Sequence, residues 1–213
     1  MDRRQLLGGM LSLAATPLVA RASDSPQITA GIYDLGVPYL GLSTPRQNCP
    51  QWCWAASIET IFRAHGHPVK QEEIVSNVWG SGGGAKPPCL PATLPQMIKA
   101  IDRDYTDENG VVFKGQCVPA KQPGDNPANT TWWRVAKSEL SQKRPLLAGY
   151  HRDLAGHAVV ITHMRVYMAP GKRDRLISMT VRDPWPNTPN LRRMEPAELR
   201  ELFFVAAVRT RKG

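Results

Sequence analysis

The order of hydrophobic periods along the chain constrains its fold more than any other feature. Apolar residues recur at helical spacing through the first two thirds and gather into short Val-, Ile- and aromatic-rich runs thereafter. Cys53 to His65 carries Ala55, Ile58, Ile61 and Phe62 as a core stripe, with Gly66 as its stop. Gln71 to Val78 and Leu94 to Ile101 read as two further short helices, and Asn129-Thr130-Thr131 supplies N-cap chemistry for a helix running to Lys143. Pro145 to Tyr150, His157 to Met168, Arg175 to Arg182 and Phe203 to Arg211 read as strands, interrupted by a helix from Pro196 to Leu202 with proline in its first turn. Helices followed by an antiparallel sheet is an α+β layout, a helical N-terminal half packed on a sheet half with a cleft between them. Ile32 to Leu40 is an extended lead-in to that core.

The start of the first long helix is where chemistry concentrates. Gln47-Asn48-Cys49-Pro50-Gln51-Trp52-Cys53-Trp54 places a cysteine at the helix mouth and a glutamine six positions earlier. A helix N-terminus offers partial positive charge and unsatisfied backbone N–H groups, which stabilise a thiolate and can hold an oxyanion, and an upstream amide can donate a second hydrogen bond. Gly156-His157-Ala158-Val159-Val160 sets a histidine at the start of an apolar strand, and Arg182-Asp183-Pro184-Trp185 sets a carboxylate at the end of the next. The turn Ala169-Pro170-Gly171-Lys172-Arg173-Asp174 closes a hairpin that returns Asp183 to His157.

On these residues the chain resembles a papain-like cysteine protease of the compact bacterial kind, similar to staphopains and to effector proteases of plant pathogens. The resemblance implies Cys53 as nucleophile, His157 as general base, Gln47 as oxyanion donor and Asp183 in the place of the family's orienting asparagine, with Trp185 shielding the His–carboxylate bond. Cys53 and His157 lie 104 positions apart, less than the papain spacing of about 130–150, which implies a trimmed scaffold. It further implies a Cys49–Cys89 disulfide like the one that ties the nucleophile-helix approach in such enzymes; Cys89–Cys117 is the rival pairing. The activity implied is peptide hydrolysis on a protein or peptide substrate. A non-catalytic interaction module, or an amidase or transpeptidase, are the alternatives the same scaffold supports.

Each candidate has a plainer reading. Cys53 could be a buried structural thiol, His157 a core histidine on a strand, and Asp183 before Pro184 the opening of a turn. His151 and His163 compete for the base, since each is six positions from His157 and strand parity puts His163 on the same face. His65-Gly66-His67 lacks further ligands and reads as a solvated helix end, so no metal or cofactor is expected. Trp132-Trp133 reads as core filling in preference to cleft lining. The glycines of Ser81 to Pro88 are not followed by Lys-Ser or Lys-Thr, which argues for a flexible cleft rim over a phosphate cradle.

Met1-Asp2-Arg3-Arg4, the apolar run from Leu6 to Ala20 and the Ala20-Arg21-Ala22 end read as a signal peptide, residues 1–22, leaving one domain at 23–213. Arg3-Arg4-Gln5-Leu6-Leu7 resembles a twin-arginine signal, and a general secretory segment carries paired basic residues too; both lead to a periplasmic or secreted protein. The apolar run is too short for a membrane span, so no membrane partner is expected after cleavage. Removing one acidic and three basic residues takes the net charge from +9 to +7. The lysines and arginines are dispersed without a basic-aromatic pattern, so nucleic acid is not an expected partner. Only 24 residues separate Ala22 from Gln47, little room for an inhibitory pro-domain, which points to control by export, redox or a separate inhibitor protein.

Overall fold

The structure, a computed structural model, describes residues 29–38, 44–80, 86–125, 131–152 and 155–213. The signal segment 1–22, Tyr39 and Leu40 of the lead-in, Ser81 to Ala85 of the glycine loop and the Asn129-Thr130 cap lie outside the described residues.

Helix α1 (Cys53–Ala64) is buried almost all round: Trp54, Ala55, Ala56, Ser57, Ile58, Glu59, Thr60, Ile61 and Phe62 are all inside. A helix covered on more than one face is a central helix, which explains why its burial exceeds the stripe read from the sequence. Gly66 stops it at φ +85°, a left-handed conformation that L side chains rarely adopt. Helices α2 (Gln71–Trp79) and α3 (Leu94–Ile101) follow, the latter opened by a Thr93/Gln96 capping box. Helix α4 spans Thr131–Ser141 and α5 Pro196–Arg200.

The sheet is larger than the sequence pattern predicts. Strands β1 (Gly31–Gly36), β2 (Asp104–Thr106), β3 (Val112–Lys121), β4 (Leu146–Arg152), β5 (Ala155–Met168), β6 (Arg175–Arg182), β7 (Leu191–Arg193) and β8 (Leu202–Lys212) join in the order β2-β3-β8-β4-β5-β6-β7, with β1 beside β5. Every pairing is antiparallel. Strands β2 and β3 thus come from the half read as helical, and β1 from the stretch read as an extended lead-in. Strand β3 carried a legible signal, since Val112 to Cys117 alternates exposed and buried.

Two apolar clusters flank the sheet. One gathers Trp52, Trp54, Ile58 and Phe62 against Phe113, Val160, Phe204 and Val208, and the other holds Leu140, Tyr150, Ile161, Met164, Met179 and Val205. Consecutive Phe204 and Val205 of β8 enter opposite clusters, as strand alternation requires. The pairing of β5 with β6 shifts register between Ile161 and His163. Val159 and Ile161 share a cluster with Met164, Val166 and Met168, so the inward side switches from odd to even positions at Thr162. A one-residue slip turns every later side chain to the other face. His163 therefore does not share the face that unbroken parity with His157 assigns it.

Candidate active site

Cys53 is the first residue of α1, whose N-terminus has no side-chain cap and no acidic residue in its first turn. The first-turn amides are consequently unclaimed by side chains and face the thiol end of the helix. The chain on either side of the cysteine is pinned to residues 88–90: Trp52 donates its indole N–H to Pro88 O at 3.1 Å, Trp54 donates to Leu90 O at 3.4 Å, and Cys49 is disulfide-bonded to Cys89. This is the pairing that the family resemblance implied. Cys53 itself is free and half-buried.

His157 and Asp183 meet as the hairpin reading expected. His157 Nε2 lies 2.8 Å from Asp183 Oδ1, with both side chains inside the protein. Because Nε2 is taken by the carboxylate, Nδ1 is the ring nitrogen left to serve Cys53, which lines the same cavity. Burial pulls the imidazole toward neutrality, but the hydrogen bonds with Asp183 and Cys53 and the charges of both outweigh it, and His157 is pushed up to about 9. Burial acts against ionisation of Asp183 too; hydrogen bonds from His157, the Trp185 amide and Arg192 overcome it and hold the carboxyl down at about 2. The arrangement favours imidazolium beside carboxylate, with the thiol within the imidazolium's reach. Trp185, in the segment after β6, stands edge-on to the His157 ring at 6.0 Å and Tyr150 of β4 at 5.5 Å. Cys53, Trp54, Gln51, Met97, His157 and Phe203 line a cavity of about 70 Å³.

Gln47 is buried at the entrance of α1, and its amide is already engaged: Nε2 donates to Cys49 O at 3.1 Å and to Pro50 O at 2.8 Å, while Oε1 receives no hydrogen bond among the described residues. Two carbonyls beside Nε2 fix that orientation of the amide. Donation to a substrate oxyanion requires Nε2 to release one of them. The neighbouring backbone crosses to the aspartate: Gln47 N–H donates to Pro184 O at 3.1 Å, and Arg46 Nη1 donates to Trp185 O at 2.5 Å and Thr188 O at 2.9 Å.

The competing histidines lie elsewhere. His151 packs against Phe203, and His163 lies 3.3 Å from Thr162 Oγ1 with its ring over Gly36. The solvated reading of His65 and His67 is corrected: both are half-buried, His65 on Val208 O at 2.9 Å and His67 on Asp107 at 3.1 Å with its ring stacked on Phe113. Tertiary packing over the helix end, invisible in a local pattern, encloses them. Trp132 and Trp133 pack on the second cluster and line a separate cavity of about 660 Å³ that touches neither Cys53 nor His157. The larger cavity therefore lies apart from the candidate cysteine and histidine. Cys117 is a buried free thiol pushed up to about 12 by burial and Asp102, unsuited to attack at neutral pH. No group of three His, Cys, Asp or Glu among the described residues could hold a metal ion.

Sequence reasoning missed Arg192, Glu198 and Tyr150. Arg192 Nε donates to Asp183 Oδ2 at 2.9 Å, its two terminal nitrogens grip both oxygens of Glu198 at 2.7 and 2.8 Å, and Nη2 reaches Tyr150 Oη at 2.9 Å. No motif announces them, because Arg192, Glu198 and Tyr150 lie on three different elements, β7, α5 and β4, that only the packed fold brings to Asp183.

The family model of the Peptidase_C39 like family matches residues 35–203. Among solved structures, the chain is similar to the peptidase domain of Streptococcus ComA, a bifunctional ABC transporter of a quorum-sensing pathway, at 12% identity and TM-score 0.46, over 79% of this chain and 97% of that one. It is also similar to a double-glycine-motif protease from an AMS/PCAT transporter in complex with its leader peptide, at 12% identity and TM-score 0.43, over 84% and 99%. No curated protein matches the sequence.

Proposed function

Because the chain belongs to the Peptidase_C39 like family and is a cysteine peptidase, we propose that it hydrolyses peptide bonds through a Cys53-His157-Asp183 triad and a thioester acyl-enzyme. The observation that carries this reading is His157 joined by Nε2 to a buried carboxylate beside a cavity it shares with Cys53, the first residue of a helix. The Cys53 thiolate attacks the scissile carbonyl carbon and the C=O π pair moves onto oxygen, where the Cys53 backbone N–H and Gln47 Nε2 stabilise it. The tetrahedral adduct collapses, the C–N bond breaks, and the amine leaves with the proton from His157 Nδ1. Neutral His157 then takes a proton from water as the hydroxyl adds to the thioester, the C–S bond breaks, and the thiolate–imidazolium pair is restored. Asp183 holds the ring orientation throughout. The basic, apolar segment 1–22 supports export to the periplasm or medium; exported protein beginning at Ser23 is expected, export with Met1 retained refutes the cleavage, and retention in the cytoplasm refutes the export.

The test of function pairs digestion of a peptide library with labelling by an epoxide thiol probe, in the wild type and in Cys53→Ala. Peptide cleavage and a covalent adduct on Cys53, both absent from a folded Cys53→Ala protein, are expected. Labelling with acyl transfer to an added amine and no hydrolysis indicates a transpeptidase, and an unlabelled, inert protein indicates an interaction module.

A further inference from the structure

We propose that Arg192 is a positioning residue of this site, which aims the Asp183 carboxylate at His157 and keeps it ionised. The inference rests on the triad reading and deepens it. Asp183 is fully buried, and three hydrogen bonds hold its carboxylate: Oδ1 accepts from His157 Nε2 at 2.8 Å and from the Trp185 amide at 2.9 Å, and Oδ2 accepts from Arg192 Nε at 2.9 Å, with Arg192 Nη2 in ion-pair contact with the same oxygen at 2.9 Å. Both Arg192 contacts fall on Oδ2, from one rigid guanidinium, so Arg192 fixes that oxygen and Oδ1 is left directed at the imidazole.

Arg192 is itself immobilised. It sits on β7 opposite Val181 of β6, and Glu198 of α5 grips its far edge while also accepting the Glu195 amide at 2.8 Å. Tyr150 Oη accepts from the same guanidinium, and its ring stands against His157. Other charged groups around Asp183 do not duplicate this. Arg46 donates to the Asp183 backbone carbonyl at 3.3 Å and not to its carboxylate, and Arg152 lies over Trp185. Cys53 acts on Asp183 only through His157. Without Arg192 the buried carboxylate keeps two neutral or histidine donors on one oxygen and none of the described side chains on the other. Burial then favours its protonation, which would leave His157 without a charged partner.

The experiment uses Cys53→Ala protein, so that the histidine–aspartate pair titrates without the thiol and the result does not depend on turnover. The downfield NMR resonance of His157 Nε2–H is followed toward low pH. With Arg192→Gln added, the pH at which that resonance collapses should rise by about one to three pH units. Arg192→Lys keeps the charge and loses the fork, so a smaller rise is expected, and this variant serves if Arg192→Gln does not fold. In proteins retaining Cys53, kcat should fall ~10- to 100-fold in Arg192→Gln with KM unchanged, since a misaimed base costs transition-state and not ground-state contacts. A folded Arg192→Gln with a lowered Tm but an unmoved collapse point would overturn the proposal and leave Arg192 as a strut between β7 and α5. Loss of the triad reading would show differently, as wild-type protein that is inert toward peptides while the NMR shift still appears.

Discussion

Asp183→Asn is the sharpest probe of this site, because papain-like enzymes place asparagine at the matching position and the structure says that this chain cannot. Every group that touches the carboxylate is a donor or a cation: His157 and the Trp185 amide donate to Oδ1, Arg192 Nε donates to Oδ2, and Arg192 Nη2 lies in ion-pair contact with Oδ2. An amide must point its NH2 at one pair or the other. Turned toward Arg192 it sets NH2 against a guanidinium, replacing the Nε hydrogen bond and the ion pair with donor–donor contact, and turned inward it does the same to the two hydrogen bonds from the imidazole and the Trp185 N–H. Removing one partner of a buried ion pair costs about 3–5 kcal/mol. At ~2–4 °C per kcal/mol for a domain of this size, Tm should drop by about 6–20 °C. His157 should fall from about 9 back toward its ordinary value of 6.5, so the alkaline limb of kcat/KM moves to lower pH. Differential scanning calorimetry and a pH–rate profile on a fluorogenic peptide measure both. An asparagine variant with wild-type Tm and an unmoved alkaline limb would show that these donors do not govern Asp183.

Three further outcomes are expected. Gln47→Ala should cost about 100- to 1000-fold in kcat by removing an oxyanion donor, with some loss of Tm because the Cys49 and Pro50 carbonyls lose their partner; a rate loss in Gln51→Ala alone would reassign the donor to the glutamine that lines the cavity. Replacing Cys49 and Cys89 by serine opens a link of sequence separation 40, which chain entropy values at about 4 kcal/mol, so urea unfolding should show a loss near that size. The charged form of His157 is favoured by folding, so its stabilisation is complete below pH 6.5 and is lost as pH rises through about 9. His65 and His163 are shifted downward by burial and act below that window. Wild-type Tm should therefore decline between pH 6.5 and 9, and the decline should vanish in His157→Gln.

What was legible in the sequence is what local patterns encode. Helix α1 begins at Cys53 and ends one residue before the reading, and α3 and β6 have the bounds that periodicity assigned. A solvent-averse stripe or alternation is a property of neighbours in the chain, so it survives in the sequence. The Pro-Gly hairpin, which brings His157 to Asp183, is of the same kind. Strand β3 was available too, by its alternation, and was overlooked.

Other features existed only once distant segments packed. Strands β1, β2 and β3 enlarge a sheet that the sequence reading confined to the second half, because strand pairing depends on which partners the fold brings alongside. The bulge at Thr162 reverses side-chain parity through register against β6, which no single strand records. The tryptophans around Cys53 and its preceding loop are held from residues 88–90, and the aspartate is clamped by an arginine whose own partners stand on β4 and α5. By itself the sequence determined which residues have the chemistry of a thiol hydrolase and which local elements carry them. Only the tertiary structure decided their donors, their protonation and their aim, since hydrogen bonds and charges act through space over a few ångströms and the chain positions that meet there are far apart.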